Sequence, residues 1–599
     1  MFIAIPASAA DFLSELNEGE NCSVSSVYGD YQAPKRLMAA TTEVIEGDSA
    51  KSYAEIQRAT WQWLMANAGN TSKLATMSLS ESDLTAIGAI DCPMCDVLQA
   101  QQRRLQVGVS KVLGHQVDLN GANGKASHAG GSMTSVGDGV MWSTNIQSPS
   151  AAAMKLEING FQLPKGAGLY VFNDYGEAFG PYQGMGPNGD GEFWTNSITG
   201  DNLRLAIYLP KETDKALGDA FMTIASVGHM GPRFRLARTI APAEVGDKAF
   251  CSFNESCVEN ANCGSTHSSV NDARKAVAHM IYQSGGGYYI CSGGLLADTD
   301  NGSVTPYFLT ANHCISKGRE AKSLEAVFDF DTPCGGNCDQ YASNTSNYPI
   351  RTNGAALLSS NRTGDYTLMR LNQTPGGSRA YLGWNSNPVA FNNGTALYRV
   401  SHPSGAPLAY SEHTVDTSKG TCSSWPRGNW IYSQDEYGAT EGGSSGSPVV
   451  NSAGEVVGQL SGGCGTNVND TCDTVNNATV DGAFAGYFDS VSEWLDPDNG
   501  GNPGGGDETV SSVSVSLETR GRRTRAVATV VIVDGSGSPV ANASVSGSFS
   551  GDISGSGNGS TDSNGVAVIR SGWTRSSVSS VQYCVDTVNG AAASGNTCS

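Results

Sequence analysis

A serine hydroxyl attacks a carbonyl only when a base takes its proton, and the base needs an acid to orient its ring. The run Thr440-Glu-Gly-Gly-Ser-Ser-Gly-Ser-Pro448 offers such a serine among glycines, and Ser445 is the candidate nucleophile. Gly442-Gly-Ser-Ser-Gly446 also contains Gly-x-Ser-x-Gly around Ser444, the elbow of hydrolases whose histidine follows the serine. No histidine follows His413, so that reading fails on inventory. The order His, Asp, Ser can be met. His313 in Phe308-Leu-Thr-Ala-Asn-His-Cys314 and Asp365 in Gly364-Asp-Tyr-Thr-Leu-Met-Arg-Leu371 both sit where strand ends are expected. The chemistry would be acyl transfer, with His313 as general base then acid, Asp365 orienting its imidazole and Ser445 attacking. No residue pattern calls for a metal or a cofactor.

The elements that must hold these residues read as mainly β. The chain has 599 residues, 74 glycines and only 16% charged residues, which favours short strands and tight turns over long surface helices. A net charge of -21 argues against nucleic acid or anionic lipid as partner. No apolar run is long enough for a membrane-spanning helix, which needs about 18 residues. Residues 1–10 read as a signal-peptide remnant with an Ala-Ser-Ala site, which implies a secreted protein. Residues 11–248 form an N-terminal region, helical over 50–115 and a β-sandwich over 116–245. Residues 249–496 hold the candidate site, 497–507 are a Gly/Pro linker, and 508–599 alternate as an immunoglobulin-like β-sandwich.

Fifteen cysteines fall as three before position 100, ten between 251 and 472, and two at 584 and 598, a usage that suggests disulfides and an oxidising compartment. Cys584 and Cys598 read as a terminal staple. Cys92-Pro-Met-Cys95 has redox spacing without a thioredoxin-like context and reads as a structural pair. Asn188-Gly-Asp-Gly-Glu192 reads as a solvated turn, because it lacks the spacing of a calcium loop.

Residues 250–495 resemble the trypsin-like, chymotrypsin-fold serine peptidases, whose histidine lies in Thr-Ala-x-His-Cys and whose serine lies in Gly-x-Ser-Gly-x-Pro. The resemblance implies a double β-barrel with the site in the cleft, and separations of 52 and 80 residues between His313, Asp365 and Ser445 suit it. It also implies a Cys291–Cys314 disulfide, an oxyanion hole from the N–H groups of Gly443 and Ser445, and a substrate-pairing strand at Ser461, Gly462 and Gly463 within Val456-Val-Gly-Gln-Leu-Ser-Gly-Gly463. His402 and Trp425 read as packed structural residues.

Departures from trypsin narrow the resemblance. Ser444 stands where zymogen-type trypsins carry an aspartate, and no Ile-Val-Gly-Gly start lies near 250. Both features resemble the bacterial lysyl endopeptidase branch, as do Gly-Ser-Ser-Gly-Ser-Pro and the cysteines at 251 and 257. Ala439 occupies the trypsin pocket-floor position without charge, and Leu460 replaces the histidine of glutamyl peptidases. Within that branch Asp481, in Val480-Asp-Gly-Ala-Phe-Ala-Gly-Tyr-Phe488, is expected to receive a basic side chain. The expectation is a secreted serine endopeptidase acting on proteins or peptides after Lys, or Lys and Arg. It is made as a precursor cut near Lys248-Ala249, against the alternative of a permanent accessory domain. The rivals are a trypsin-fold peptidase with another pocket, and an adhesin whose C-terminal domain binds a surface or polymer.

Overall fold

The computed structural model describes residue 34 and residues 37–599 apart from short breaks, the longest being 89–103, 120–126, 211–219, 235–250, 339–348 and 498–508. The signal-like start, Cys22, Cys92, Cys95, the Lys248-Ala249 bond and most of the linker lie outside the described residues.

Helix Ala50–Asn67 forms where the apolar residues recur every three or four positions, and Trp61, Trp63 and Leu64 pack onto Met141, Phe172 and Ala206. The helical reading of 50–115 does not extend further as one element. Ser72–Thr76 is a strand, Glu81–Ala86 a short helix, and Leu105–Asp118 a long strand. In the last of these Val112, Gly114 and Gln116 are exposed with half-buried Leu113 and His115 between them, so the period is two. Two sheets then enclose a core that includes Trp142, Ile146, Leu156, Ile158, Leu205 and Ile224.

One of those sheets does not end at the N-terminal unit. Strand Leu105–Asp118 pairs with Gly287–Leu296, placing Gly108 opposite Tyr288 and Leu105 opposite Ile290, so twelve strands form a single sheet. Val107, Trp194 and Met230 pack there against Ile281, Tyr288 and Val327. Beside them Glu325 is fully buried. It accepts from Lys155 Nζ at 3.1 Å, Arg351 Nη1 at 3.2 Å, Asn196 Nδ2 at 3.0 Å and the Ser197 N–H at 3.0 Å. Further strands Ala39–Ala40 and Glu43–Ile45 add to Trp384–Asn385 and Arg379–Tyr381. The turn at Asn188–Glu192 rests on this interface too, through the Lys322–Asp190 ion pair.

From 277 onward two barrel-like sheets follow. The first runs through Val277–Ser284, Gly287–Leu296, Tyr307–Ala311, Glu325–Phe328, Ile350–Asn353, Ala355–Asn361 and Tyr366–Leu371. The second closes on itself: Ala396–Ser401, Ala409–Val415, Trp430–Tyr437, Asn477–Ala483, Val456–Gly465 and Pro448–Val450 pair in a ring. Five disulfides brace this region, Cys251–Cys338, Cys257–Cys472, Cys263–Cys334, Cys291–Cys314 and Cys422–Cys464. The C-terminal unit is two sheets around Val530, Ile532, Phe549, Ile569 and Tyr583, with Cys584–Cys598 at its end. Arg523 and Arg575 both reach Asp118 of the N-terminal unit, at 2.7 and 2.8 Å.

Candidate active site

Strand Tyr307–Ala311 ends in a turn that carries His313, and Tyr366–Leu371 begins one residue after Asp365. These two strands pair, Ala311 opposite Tyr366, so the two side chains meet at one end of the sheet. Asp365 Oδ2 lies 2.7 Å from His313 Nδ1, and Oδ1 accepts the His313 backbone N–H at 2.9 Å. Both carboxylate oxygens therefore hold one residue, and the ring can turn only by breaking a bond. Asp365 reaches this position with φ of 49°, in the left-handed region that aspartate tolerates better than most residues, just after Gly364 at 75°.

The second barrel locks the same corner. Gln459 Nε2 donates to the carbonyls of Gly364 at 2.8 Å and Asp365 at 3.0 Å, while Tyr487 donates to Gln459 Oε1. No local motif marks Gln459; its role appears only when residues about a hundred positions apart are brought across the cleft.

Ser445 is delivered from the second barrel. Its carbonyl accepts the Ser292 N–H at 2.8 Å, and Ser292 Oγ donates to the Gly443 carbonyl at 2.8 Å. The Cys291–Cys314 bridge ties that strand to the histidine turn: Cys314 Sγ is 3.8 Å from His313 Nε2 and 3.7 Å from the Ser445 carbonyl oxygen. Cys291, His313 and Cys314 are close enough to hold a metal, but both thiols are committed to the disulfide.

Gly443 adopts φ of 103°, and a Cβ there would lie 2.8 Å from the His402 carbonyl, so both conformation and space require glycine. Gly446 is equally constrained, with a Cβ falling 2.1 Å from Thr310 Oγ1. Among the described residues the N–H groups of Gly443 and Ser445 donate to no protein acceptor. Unpaired N–H groups beside a serine are what a developing oxyanion would use. Ser444 is fully buried and takes a hydrogen bond from Ser401, so it is no rival nucleophile.

A cavity of about 170 Å³ opens beside Ser445, lined in part by Asp435, Thr440, Glu441, Leu460, Gly462, Gly463 and Asp473. Gly462 and Gly463 line this cavity, whereas Ser461 turns inward at a bulge and its hydroxyl is buried. Asp481 requires a correction. It is absent from the cavity wall, fully buried within the second barrel, and its Oδ1 lies 2.5 Å from Arg399 Nη2. Its charge is committed to a partner 82 positions away that no local pattern indicates. Ala439 is buried against Val258 and Ala409 and does not line the cavity, although Thr440 beside it does. His402 bonds the Ala406 carbonyl at 3.0 Å and stacks on Phe330, and burial lowers its pKa to about 4. Trp425 packs against Trp430.

Residues 252–479 match the family described as lysyl endopeptidase, C-terminal domain. This segment is a serine endopeptidase domain similar to that of the lysyl endopeptidases. The chain is 27% identical over 361 residues to the lysyl endopeptidase of Pseudomonas aeruginosa, covering 58% of this chain and 72% of that protein. It is 29% identical over 208 residues to secreted RxLR effector protein 73 of Plasmopara viticola, covering 34% and 49%. Similar solved structures include an HtrA-type protease with tripeptide, at 14% identity and a TM-score of 0.27 over 42% of this chain and 68% of that one. Kallikrein-related peptidase 10 in complex with zinc is similar at 19% identity and a TM-score of 0.25, over 36% and 93%. The peptidase domain thus makes the chain a serine endopeptidase, and no helix among the described residues is long and apolar enough to cross a membrane.

Proposed function

We propose that this serine endopeptidase is secreted and cleaves proteins after lysine, or after lysine and arginine, through an acyl-enzyme formed on Ser445. The observation that carries the mechanism is the doubly held His313–Asp365 pair, joined through Cys314 Sγ to the Ser445 backbone, together with the Gly443 and Ser445 N–H groups that have no protein acceptor among the described residues. Asp365 fixes the proton of the resting imidazole on Nδ1, leaving Nε2 to take the Ser445 proton as Oγ attacks the carbonyl carbon. The Gly443 and Ser445 N–H groups receive the negative oxygen, a contribution of roughly 3 to 4 kcal/mol per donor. His313 then gives the proton to the leaving amine, the carbon–nitrogen bond breaks, and water attacks the ester by the same route.

Two features support a basic preference. The similar Pseudomonas protein is named a lysyl endopeptidase, and the named cavity lining holds three carboxylates and no lysine or arginine. The six disulfides among the described residues suit an oxidising, extracellular setting.

The test is Ser445→Ala together with a fluorophosphonate probe. The wild-type chain is expected to label on Ser445 and to cut a mixed peptide library after basic residues, and the alanine variant to do neither while still folding. Labelling of a different serine, or undiminished turnover by the alanine variant, removes the assignment.

A further inference from the structure

The carboxylates around the cavity differ in how much bonding capacity remains to them. Glu441 is committed: Asn254 Nδ2 and Ser404 Oγ donate to its Oε2 at 2.7 Å, and the Glu255 N–H donates to Oε1 at 2.7 Å. Asp473 accepts the side-chain amides of Asn467 and Asn476 on Oδ2 and the Asn476 N–H on Oδ1. Asp435 is built differently. His413 Nδ1 at 2.7 Å and Thr479 Oγ1 at 2.6 Å both meet Oδ1, leaving Oδ2 without a protein partner among the described residues.

The two donors come from strands on either side. Asp435 lies in Trp430–Tyr437, His413 sits opposite it in Ala409–Val415, and Thr479 comes from Asn477–Ala483, two positions before the buried Asp481. A carboxylate can only accept, so His413 Nδ1 carries the proton, and Ser411 Oγ holds the other ring nitrogen at 2.8 Å. Ser411 and His413 are each 1% exposed, so this second Ser–His–Asp series is out of substrate's reach and cannot act as a nucleophile. What it does is anchor one oxygen of Asp435, whose side chain keeps 10% of its surface, on the wall of a cavity that also holds Ser445.

We propose that Asp435, positioned by His413 and Thr479, is the residue that binds the ammonium or guanidinium group of the substrate side chain preceding the cleaved bond. The inference rests on the serine endopeptidase reading and adds the identity of its specificity residue, in place of Asp481. A carboxylate with one oxygen anchored and one open meets a cation without first reorganising, and a neutral side chain placed there leaves the charge unpaired.

The experiment uses the full chain and paired peptides that differ only in lysine against Nε-acetyl-lysine before the scissile bond, with active sites counted by fluorophosphonate labelling. For Asp435→Asn, kcat/KM on the lysine peptide is expected to fall about 10²- to 10³-fold, the range for removing one partner of a desolvated ion pair. The acetyl-lysine peptide should change only a few-fold. Asp435→Glu keeps the charge and should retain a lysine preference, and Asp481→Asn should leave the lysine-to-acetyl-lysine ratio as in wild type. In the wild-type chain, n-butylammonium should protect Ser445 from the probe and 1-pentanol should not, a readout independent of whether any variant folds. A labelled Asp435→Asn enzyme with an unchanged ratio, or equal protection by the two small molecules, overturns the role of Asp435 while the peptidase reading stands. A wild-type chain that does not label fails the peptidase reading instead.

Discussion

Replacing Glu325 by glutamine should loosen the N-terminal unit from the peptidase domain by about 3 to 5 kcal/mol. Glu325 and Arg351 belong to the first barrel, and Lys155, Asn196 and Ser197 to the N-terminal unit, so the carboxylate is the shared partner of both sides. One anion serves two buried cations: the side chains of Lys155 and Glu325 have no exposure and that of Arg351 has 3%. Glutamine keeps the shape but removes the charge, and its amide group turns donors towards donors. Leaving buried charges uncompensated costs about 3 to 5 kcal/mol, well above the few tenths expected of a surface change. Lys155→Met should cost less, because one anion and one cation remain. The assay is hydrogen exchange on the full chain in a Ser445→Ala background, which prevents self-digestion. Opening free energies of amides in Leu105–Asp118 and Gly287–Leu296 should fall by that amount, while those of Arg523–Val533 stay unchanged. A loss below about 1 kcal/mol, or a larger loss for Lys155→Met than for Glu325→Gln, would refute the charge-balance argument.

Two other outcomes follow from the same geometry. Burial by itself raises the Glu325 carboxyl, but the Lys155 and Arg351 charges outweigh it and hold its pKa down to about 2, below the ordinary 4.5. A depressed pKa stabilises above the unfolded value and is lost as pH falls through the folded one, so protection at the interface should decline between pH 4.5 and about 2, and Glu325→Gln should flatten that decline. Asp365→Asn should lower kcat by about 10⁴-fold with the fold intact, since an amide in place of the carboxylate lets the ring adopt the wrong tautomer; single-turnover kinetics with a labelled site count would show it, and a loss of less than about tenfold would count against the orienting role.

His313, Asp365 and Ser445 were legible because each lies in a short motif whose neighbours serve it directly: Ala311 opposite Tyr366, Gly443 at its required backbone, Cys314 bound to Cys291. The cavity beside Ser445 was not. Asp435 sits in Ser433-Gln-Asp-Glu-Tyr437, which reads as a solvated strand end, and its setting depends on His413 and Thr479, 22 and 44 positions away. Asp481 misled for the complementary reason, since its neighbours resemble a pocket strand while Arg399, which claims its charge, lies outside any local window. The strand at Leu105–Asp118 was missed where lysine and histidine interrupt the alternation and where its pairing partner, Gly287–Leu296, lies far along the chain. Period and motif are local quantities, whereas charge pairing and sheet addition are not.

The Cys257–Cys472 bridge has a bearing on the order in which this molecule is finished. Cys472 lies in the loop whose Thr471, Asp473 and Thr474 wall the cavity, and the bridge closes a separation of 215 residues, against 23 for Cys291–Cys314. During synthesis from the N-terminus the short bridge can close early, whereas the long one must wait until the chain has been made past 472 and both barrels have come together. The turn that carries the histidine is thus braced to its neighbouring strand before the cavity wall around Cys472 is pinned in place. A newly made chain braces its first barrel early and its cavity wall last.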